Sequence, residues 1–159
     1  MKDKVFLDTN IFIYSIDASP GQNKKRNVAR QILREQIRNE SGVISIQVLQ
    51  EFYHVATQKI QVPLSTEESL EYLNYMSVFE TVLPDFDMVV MAILLHRKYM
   101  ISFWDALIIQ AAKTAGCSQV LSEDLQDGFY LDNLRVKNPF IIKSGSSWNS
   151  GEKLTNNSL

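Results

Sequence analysis

The sequence predicts an α/β fold: a three-layer α/β/α sandwich with a central, mostly parallel sheet. Short runs that are wholly or mostly apolar, such as residues 5–7 and 43–45, are typical of strands that are buried on both faces. Longer segments with apolar residues at helical spacing alternate with these runs, and such alternation implies parallel strands joined by crossover helices. At 159 residues, 45% of them hydrophobic, the chain can bury a substantial core in one domain.

The first half of the chain contains two predicted strands and three predicted helices. The strands are the apolar runs at residues 5–7 and 43–45. A helix over 23–38 lies between them and ends at Ser41-Gly42, and a second helix covers 46–58 with its apolar residues on one face. The third helix opens at Ser65 with a Ser-x-x-Glu sequence, which is typical of a capping box.

The second half repeats the pattern and carries its own start and stop signals. Asp85 and Ser102 precede apolar periodic segments and are expected to cap two helices, over 86–99 and from 103 to Gly116. The remaining predicted elements are strands at 79–83, 118–122 and 134–136, and an apolar extension at 140–142. We therefore expect a single domain over residues 1–143 and a polar, mobile tail over 144–159.

Composition excludes several classes of protein. The net charge is −2 and the isoelectric point about 5.7, so any nucleic-acid contact must come from a local patch of positive charge. Cys117 is the sole cysteine, which rules out an intramolecular disulfide and a thiolate metal cage. No signal peptide or membrane-spanning run is evident, and we expect a cytosolic protein with no membrane partner.

Acidic residues recur where a strand ends or a helix begins, next to apolar neighbours. Asp8 follows the first strand directly, Glu51 and Asp105 lie in the first turns of helices, and Asp124 follows the strand at 118–122. Parallel sheets bring strand carboxyl ends and helix amino ends to one edge, so these acids are expected to meet there. Asp127 is a fifth candidate. Taken singly, each acid also fits an ordinary cap or turn position.

Clustered carboxylates repel one another and are stable mainly when a cation neutralises them. An all-oxygen set without cysteine or histidine ligands favours a hard ion, Mg²⁺ or Mn²⁺, which can activate water and stabilise charge on a phosphoryl group. Asn10 and Ser122 are candidates to hydrogen-bond the ligands. His54 and His96 have no partners at zinc-ligand spacing and are expected to be structural or surface residues.

A row of arginines marks one face of the helix over 23–38. The row consists of Arg26, Arg30, Arg34 and Arg38, which are spaced by four residues and so stack on one side. A solvated helix face is the simpler explanation of the row. The functional interpretation is a surface that contacts RNA phosphates or a partner protein.

Four segments in this order carry a resemblance to a known family. They are Val5-Phe6-Leu7-Asp8-Thr9-Asn10, Gln50-Glu51-Phe52, Phe103-Trp104-Asp105-Ala106-Leu107-Ile108 and Leu121-Ser122-Glu123-Asp124-Leu125. The chain resembles the PIN-domain family, and within it the VapC-type toxins of bacterial toxin–antitoxin pairs, over roughly residues 4–142.

The resemblance implies a flavodoxin-like α/β/α core and a metal-dependent ribonuclease that hydrolyses single-stranded RNA, forms a homodimer and binds a cognate antitoxin. It makes Asp8, Glu51, Asp105 and Asp124 the acidic quartet. The expected Mg²⁺ ligands are Asp8, Asp105, Asp124 and Asp127, of which Asp127 matches a more variable acidic position.

Other functions are weighed against this one. A phosphatase with an aspartyl nucleophile at Asp8 would need a second acid two residues later, where this chain has Asn10. A phosphorylated receiver domain would need a lysine after its later strand, and none lies between Gln119 and Leu134. A non-toxin PIN-type nuclease, or a catalytically silent module that binds metal and a partner, remains open as an alternative.

Overall fold

A computed structural model describes residues 2–141 of the chain. The predicted tail at 144–159 and the last residue of the apolar extension, at position 142, lie outside the described residues. The elements in chain order are β1 (Lys4–Leu7), α1 (Thr9–Ile16), α2 (Asn23–Asn39), β2 (Gly42–Ser45), α3 (Ile46–Gln58), α4 (Thr66–Met76), β3 (Glu80–Val82), α5 (Phe86–Tyr99), α6 (Phe103–Thr114), β4 (Cys117–Leu121), β5 (Tyr130–Leu131) and β6 (Leu134–Lys137).

The six strands form one sheet in the order β3-β2-β1-β4-β6-β5. Every pairing is parallel except that of β5 with β6. The chain first moves outward from β1 to β3 and then returns to β4 on the other side of β1. Strand order therefore reverses between β1 and β4, and the crevice at their carboxyl ends is where such sheets bind ligands.

Helices cover both faces of the sheet, which confirms the predicted three-layer, mostly parallel α/β architecture. Helices α1 to α4 lie in the crossovers from β1 to β3, and α5 and α6 lie in the return crossover. Because crossovers of this kind are right-handed, the two groups fall on opposite faces. The core between the layers is apolar and includes the fully buried side chains of Phe6, Leu7, Ile44, Phe52 and Ile109. None of the helices within residues 2–141 is long and apolar enough to cross a membrane.

Local signals read from the sequence place most helix starts correctly. Ser65 and Glu68 form both hydrogen bonds of the predicted capping box. Asp85 and Ser102 accept hydrogen bonds from the backbone N–H groups of Met88 and Asp105, three residues further on, and so cap α5 and α6 as predicted.

Two elements have no counterpart in the sequence-based prediction. Helix α1 contains the apolar residues 11–14, which show no clear helical period because Ile11, Phe12 and Ile13 are all buried. Asp8, which caps this helix, is the signal that could have located it. Strand β5 has only two residues, and it folds back on β6 through a turn in which Asp132 and Asn133 have positive φ angles. So short a strand leaves no periodicity to detect.

Candidate metal-dependent active site

Asp8 lies in the crevice at the carboxyl end of β1 and is 5% exposed. Its Oδ1 accepts a hydrogen bond from the Thr9 backbone N–H at 2.8 Å, which makes Asp8 the N-cap of α1. Its Oδ2 accepts a hydrogen bond from the Ser122 hydroxyl at 2.7 Å. Both carboxylate oxygens are thus fixed by neighbours at the point where β1 and β4 end side by side.

Ser122 is fully buried and organises the end of β4. Besides donating to Asp8, its Oγ accepts from the backbone N–H groups of Asp124 at 3.1 Å and Leu125 at 3.2 Å. Asn10 completes the connection, since its Nδ2 donates to Asp124 Oδ2 at 3.2 Å and lies 3.4 Å from Ser122 Oγ. The two residues expected to support the acids therefore join Asp8 to Asp124.

Glu51 projects from α3 toward the same place. Its Oε2 accepts from the Thr9 hydroxyl at 2.9 Å, and its Oε1 accepts from Gln47 Nε2 at 2.8 Å. The same Gln47 nitrogen also lies 3.4 Å from the backbone carbonyl oxygen of Trp104. Gln47 thereby connects the helix that carries Glu51 to the first turn of the helix that carries Asp105.

The electrostatics of the cluster centre on Asp8. Burial, above all, raises its pKa from the ordinary value of 3.8 to about 6. The hydrogen bonds from Ser122 and Thr9 oppose this rise, and the carboxylates of Glu51 and Asp124 add to it. Keeping this buried carboxylate ionised costs free energy, and a bound cation would offset that cost.

The structure does not bring all five predicted acids together equally. Asp105 is half-buried in the first turn of α6, one residue after the Trp104 carbonyl that Gln47 contacts. Asp127 is exposed on the loop before β5, and its Oδ1 accepts from the Asn138 backbone N–H at 2.8 Å. None of the hydrogen bonds that join Asp8, Glu51 and Asp124 within residues 2–141 includes Asp127. Its role as a metal ligand stays a prediction.

In the described part of the chain, no group of three or more acidic, histidine or cysteine side chains is arranged closely enough to hold an ion by itself. The donor set nevertheless fits Mg²⁺, which usually keeps several of its waters and takes only one or two protein carboxylates. Asp8 and Asp124, joined through Asn10 and Ser122, supply such a pair.

A charged triad that the sequence analysis did not identify lies beside the acids. The Glu123 carboxylate accepts hydrogen bonds from both Tyr14 OH and Lys25 Nζ, and Lys25 Nζ also donates to Tyr14 OH at 3.2 Å. The Tyr14 ring packs edge-on against Phe140 at 4.8 Å between centroids. Glu123 directly precedes Asp124, and its backbone N–H donates to Asn10 Oδ1 at 3.2 Å. No sequence spacing connects these residues, because they come from α1, α2 and the loop after β4.

The four arginines of the row on α2 do not share one environment. Arg26 and Arg30 donate to the backbone carbonyl oxygens of Asp17 at 2.8 Å and Ser15 at 2.9 Å, and so hold α2 against the end of α1. Arg34 and Arg38 are exposed. Arg38 borders a cavity near Val5 and Ser118, at the amino ends of β1 and β4, on the opposite edge of the sheet from Asp8. Contact between this row and RNA or a partner stays a prediction.

A cavity of about 800 Å³ opens next to the acid cluster. Thr9, Asn10, Glu51 and Asp124 form part of its wall. The cavity then extends along α3 past His54 to Lys59, and Trp104 lies on its rim. His54 is exposed, as expected for a surface residue, but it faces this cavity.

The family model for the PIN domain matches residues 5–130, a span that includes every acid of this cluster. The chain belongs to the PIN domain family. This finding confirms the family to which the four sequence segments pointed. A search of curated protein sequences gives no match.

Solved structures share this PIN fold at low sequence identity. VapBC2 from Rickettsia felis, bound to a promoter DNA fragment, has a TM-score of 0.61 and 21% identity, covering 84% of this chain and 97% of that chain. A toxin-antitoxin complex from Klebsiella pneumoniae has a TM-score of 0.60 and 18% identity, covering 82% of this chain and 95% of that chain. The sarcin-ricin loop cleaving toxin VapC20 of Mycobacterium tuberculosis has a TM-score of 0.59 and 15% identity, covering 76% of this chain and 92% of that chain.

Proposed function

We propose that this PIN domain is a Mg²⁺-dependent ribonuclease that hydrolyses single-stranded RNA and acts as the toxin of a type II toxin–antitoxin pair. One observation carries the proposal. The buried carboxylate of Asp8, with its pKa raised to about 6, is connected through Ser122 to Asp124 and through Thr9 to Glu51, beside a large open cavity. Titratable groups perturbed in this way, at the edge of a cleft, are characteristic of catalytic sites.

The proposed ligands are Asp8, Asp105 and Asp124, with Mn²⁺ able to replace Mg²⁺. When bound, the ion supplies positive charge that activates a water and stabilises the negative charge developing on the phosphate. Ser122 and Asn10 hold the carboxylates of Asp8 and Asp124 in fixed orientations, so that little rearrangement is needed when a substrate arrives.

Glu51 is the proposed fourth member of the site. Its two carboxylate oxygens are held by Thr9 and Gln47, which fixes its direction. Glu51 also lines the cavity, so it can reach a water or an RNA hydroxyl there. In this position it can accept a proton from the attacking water, as a general base.

The proposed partners follow from the same reasoning. The Rickettsia and Klebsiella structures are toxin–antitoxin complexes, which supports an antitoxin as partner of this chain. We also propose a homodimer, because α5 exposes apolar side chains on one face, including Phe86, Val90 and Leu94. Such a protein would act in the cytosol, where its RNA substrate is found.

The deciding experiment is cleavage of total RNA by the purified protein, with Mg²⁺ or Mn²⁺ compared with EDTA. Wild type should cut only with metal, and Asp8→Ala and Asp105→Ala should not cut. Asp87→Ala, which removes an exposed acid from α5, is the matched control and should cut like wild type. Metal-dependent cutting by Asp8→Ala would refute the assigned site. Metal binding by wild type without cleavage of any RNA would favour the catalytically silent module.

A further inference from the structure

Trp104 directly precedes Asp105 in the chain, and 62% of its surface is exposed to solvent. Its position is well defined, because the backbone carbonyl oxygen lies 3.4 Å from Gln47 Nε2 and the ring packs against Phe103 at 5.1 Å between centroids. The indole nevertheless lies on the rim of the cavity that holds Glu51 and Asp124. A large aromatic face that is open to solvent and lies next to the proposed phosphate-cleaving site is suited to stacking on a nucleobase.

One face of α3 forms a wall of the same cavity. Gln47, Gln50 and His54 follow one another at intervals of three and four residues, so their side chains lie on the same side of the helix. Amide groups can both donate and accept hydrogen bonds with base edges. Gln47 is 7% exposed, and its Oε1 has no hydrogen-bond donor within the described residues. A water or base edge that reaches this atom would remove an unpaired acceptor.

Two side chains that can contact a phosphate lie farther along the same wall. His54 lies about 5 Å beyond Glu51 along the helix axis, and Lys59 lies about 12 Å beyond it, from a rise of 1.5 Å per residue. Both are exposed and both line the cavity, although most of its charged lining residues are acids. The ammonium group of Lys59 and the ring N–H of His54 are suited to contact a phosphate that leads away from the cleavage point.

We infer that this cavity binds one unstacked nucleotide of single-stranded RNA, next to the phosphate that is cut. Its base stacks on Trp104, the amides of Gln47 and Gln50 lie beside the base edge, and the next phosphate lies near His54 and Lys59. The volume of about 800 Å³ is ample for a single nucleotide. The inference rests on the proposed ribonuclease function and makes Trp104 a residue that holds the base in place for the amides of Gln47 and Gln50.

The test measures binding rather than cleavage. The chain has two tryptophans, so Trp148→Phe leaves Trp104 as the one tryptophan reporter. Oligo(A), oligo(U) and oligo(C) RNA of twelve nucleotides are titrated into this variant in EDTA and again in Ca²⁺, with duplex RNA as the comparison. We expect at least one single strand to quench the tryptophan fluorescence, and duplex RNA to do so far less.

Substitutions then separate stacking from folding. Trp104→Ala should weaken binding of the best oligonucleotide, measured by anisotropy of a labelled strand, by about 5- to 100-fold, and Trp104→Phe should restore most of it. Lys59→Gln should weaken all single strands alike and reduce the salt dependence. Tyr75→Ala removes an equally exposed aromatic outside the cavity and should change nothing.

The outcomes distinguish this inference from the proposed function. Trp104-dependent binding of single strands by a protein that cuts no RNA would refute the nuclease and leave the binding site standing. Metal-dependent cleavage with unchanged binding and base preference in Trp104→Ala would refute the inference alone. Equal quenching by duplex RNA would also refute it. So would a Trp104→Ala protein that binds RNA normally but changes its mass in light scattering, because the indole would then belong to an interface between copies.

Discussion

Replacing Asp8 with asparagine should abolish cleavage and yet stabilise the metal-free protein at neutral pH. The pKa of Asp8 rises from 3.8 to about 6 on folding, so holding its charge in the folded state costs about 3 kcal/mol. Asparagine avoids this cost but cannot accept both hydrogen bonds as the carboxylate does, and the lost hydrogen bond lowers the free energy of unfolding by about 1 kcal/mol. The net gain of about 2 kcal/mol corresponds to roughly 4–8 °C in Tm for a chain of this size.

The effect has a defined pH dependence. Between pH 6 and pH 3.8 the folded protein binds a proton at Asp8 that the unfolded chain has released. The contribution of Asp8 to stability therefore increases as the pH falls through this interval and decreases as the pH rises through it. The advantage of Asp8→Asn should be complete above about pH 6 and absent below the pKa of the unfolded chain.

The assay is urea unfolding in EDTA at pH 4 and pH 7.5, with wild type, Asp8→Asn and the surface control Asp87→Asn. Adding Mg²⁺ at pH 7.5 should stabilise wild type, because the ion binds the folded state, and should stabilise Asp8→Asn far less. The reasoning would be refuted if Asp8→Asn in EDTA at pH 7.5 unfolded at a lower urea concentration than wild type.

Three further predictions concern the surroundings of the site. Gly42→Ala should lower the free energy of unfolding by about 1–3 kcal/mol in urea, because a Cβ atom there would lie 2.5 Å from the Phe79 ring. Asp127→Asn should retain most of the wild-type kcat/KM for RNA, because the carboxylate oxygen accepts a hydrogen bond from the Asn138 backbone N–H and an amide oxygen can accept the same bond. Lys25→Met should cost about 1 kcal/mol of stability in urea unfolding and lower kcat/KM, because Glu123 beside the cluster would lose its cation.

Each of these predictions has a control. Combining Gly42→Ala with Phe79→Ala should cost less than the two changes separately, and additive losses would contradict the proposed clash. Loss of cleavage in Asp127→Asn as complete as in Asp8→Ala would make Asp127 a ligand after all. Lys25→Arg should keep both stability and activity, and failure of this variant would show that more than charge is required.

The sequence was sufficient to predict the sheet and most helices, because their signals are local. Buried strands leave apolar runs, and caps such as Ser65 and Asp85 mark where helices begin. Helix α1 escaped prediction because it is buried on nearly all sides, so its apolar residues show no face. Strand β5 escaped because its two residues are held by pairing with β6, which is a property of the tertiary fold.

The acids of the candidate site could be named from the sequence, but the hydrogen bonds between them could not. Topology alone places Asp8 and Asp124 at one edge, and the structure joins them through Ser122 and Asn10. The row of arginines shows the limit of such reasoning. Equal spacing makes all four look alike, yet Arg26 and Arg30 hold the end of α1 through backbone carbonyl groups that no side-chain pattern reveals.

The pairing of β1 with β4 also determines when during synthesis the site can exist. The hydrogen bond between Asp8 and Ser122 joins residues 114 positions apart, and β4 is the neighbour that completes the crevice beside β1. A nascent chain still lacking β4 has Asp8 but neither Ser122 nor Asp124. The acid cluster can therefore form only after Asp124 has been synthesised.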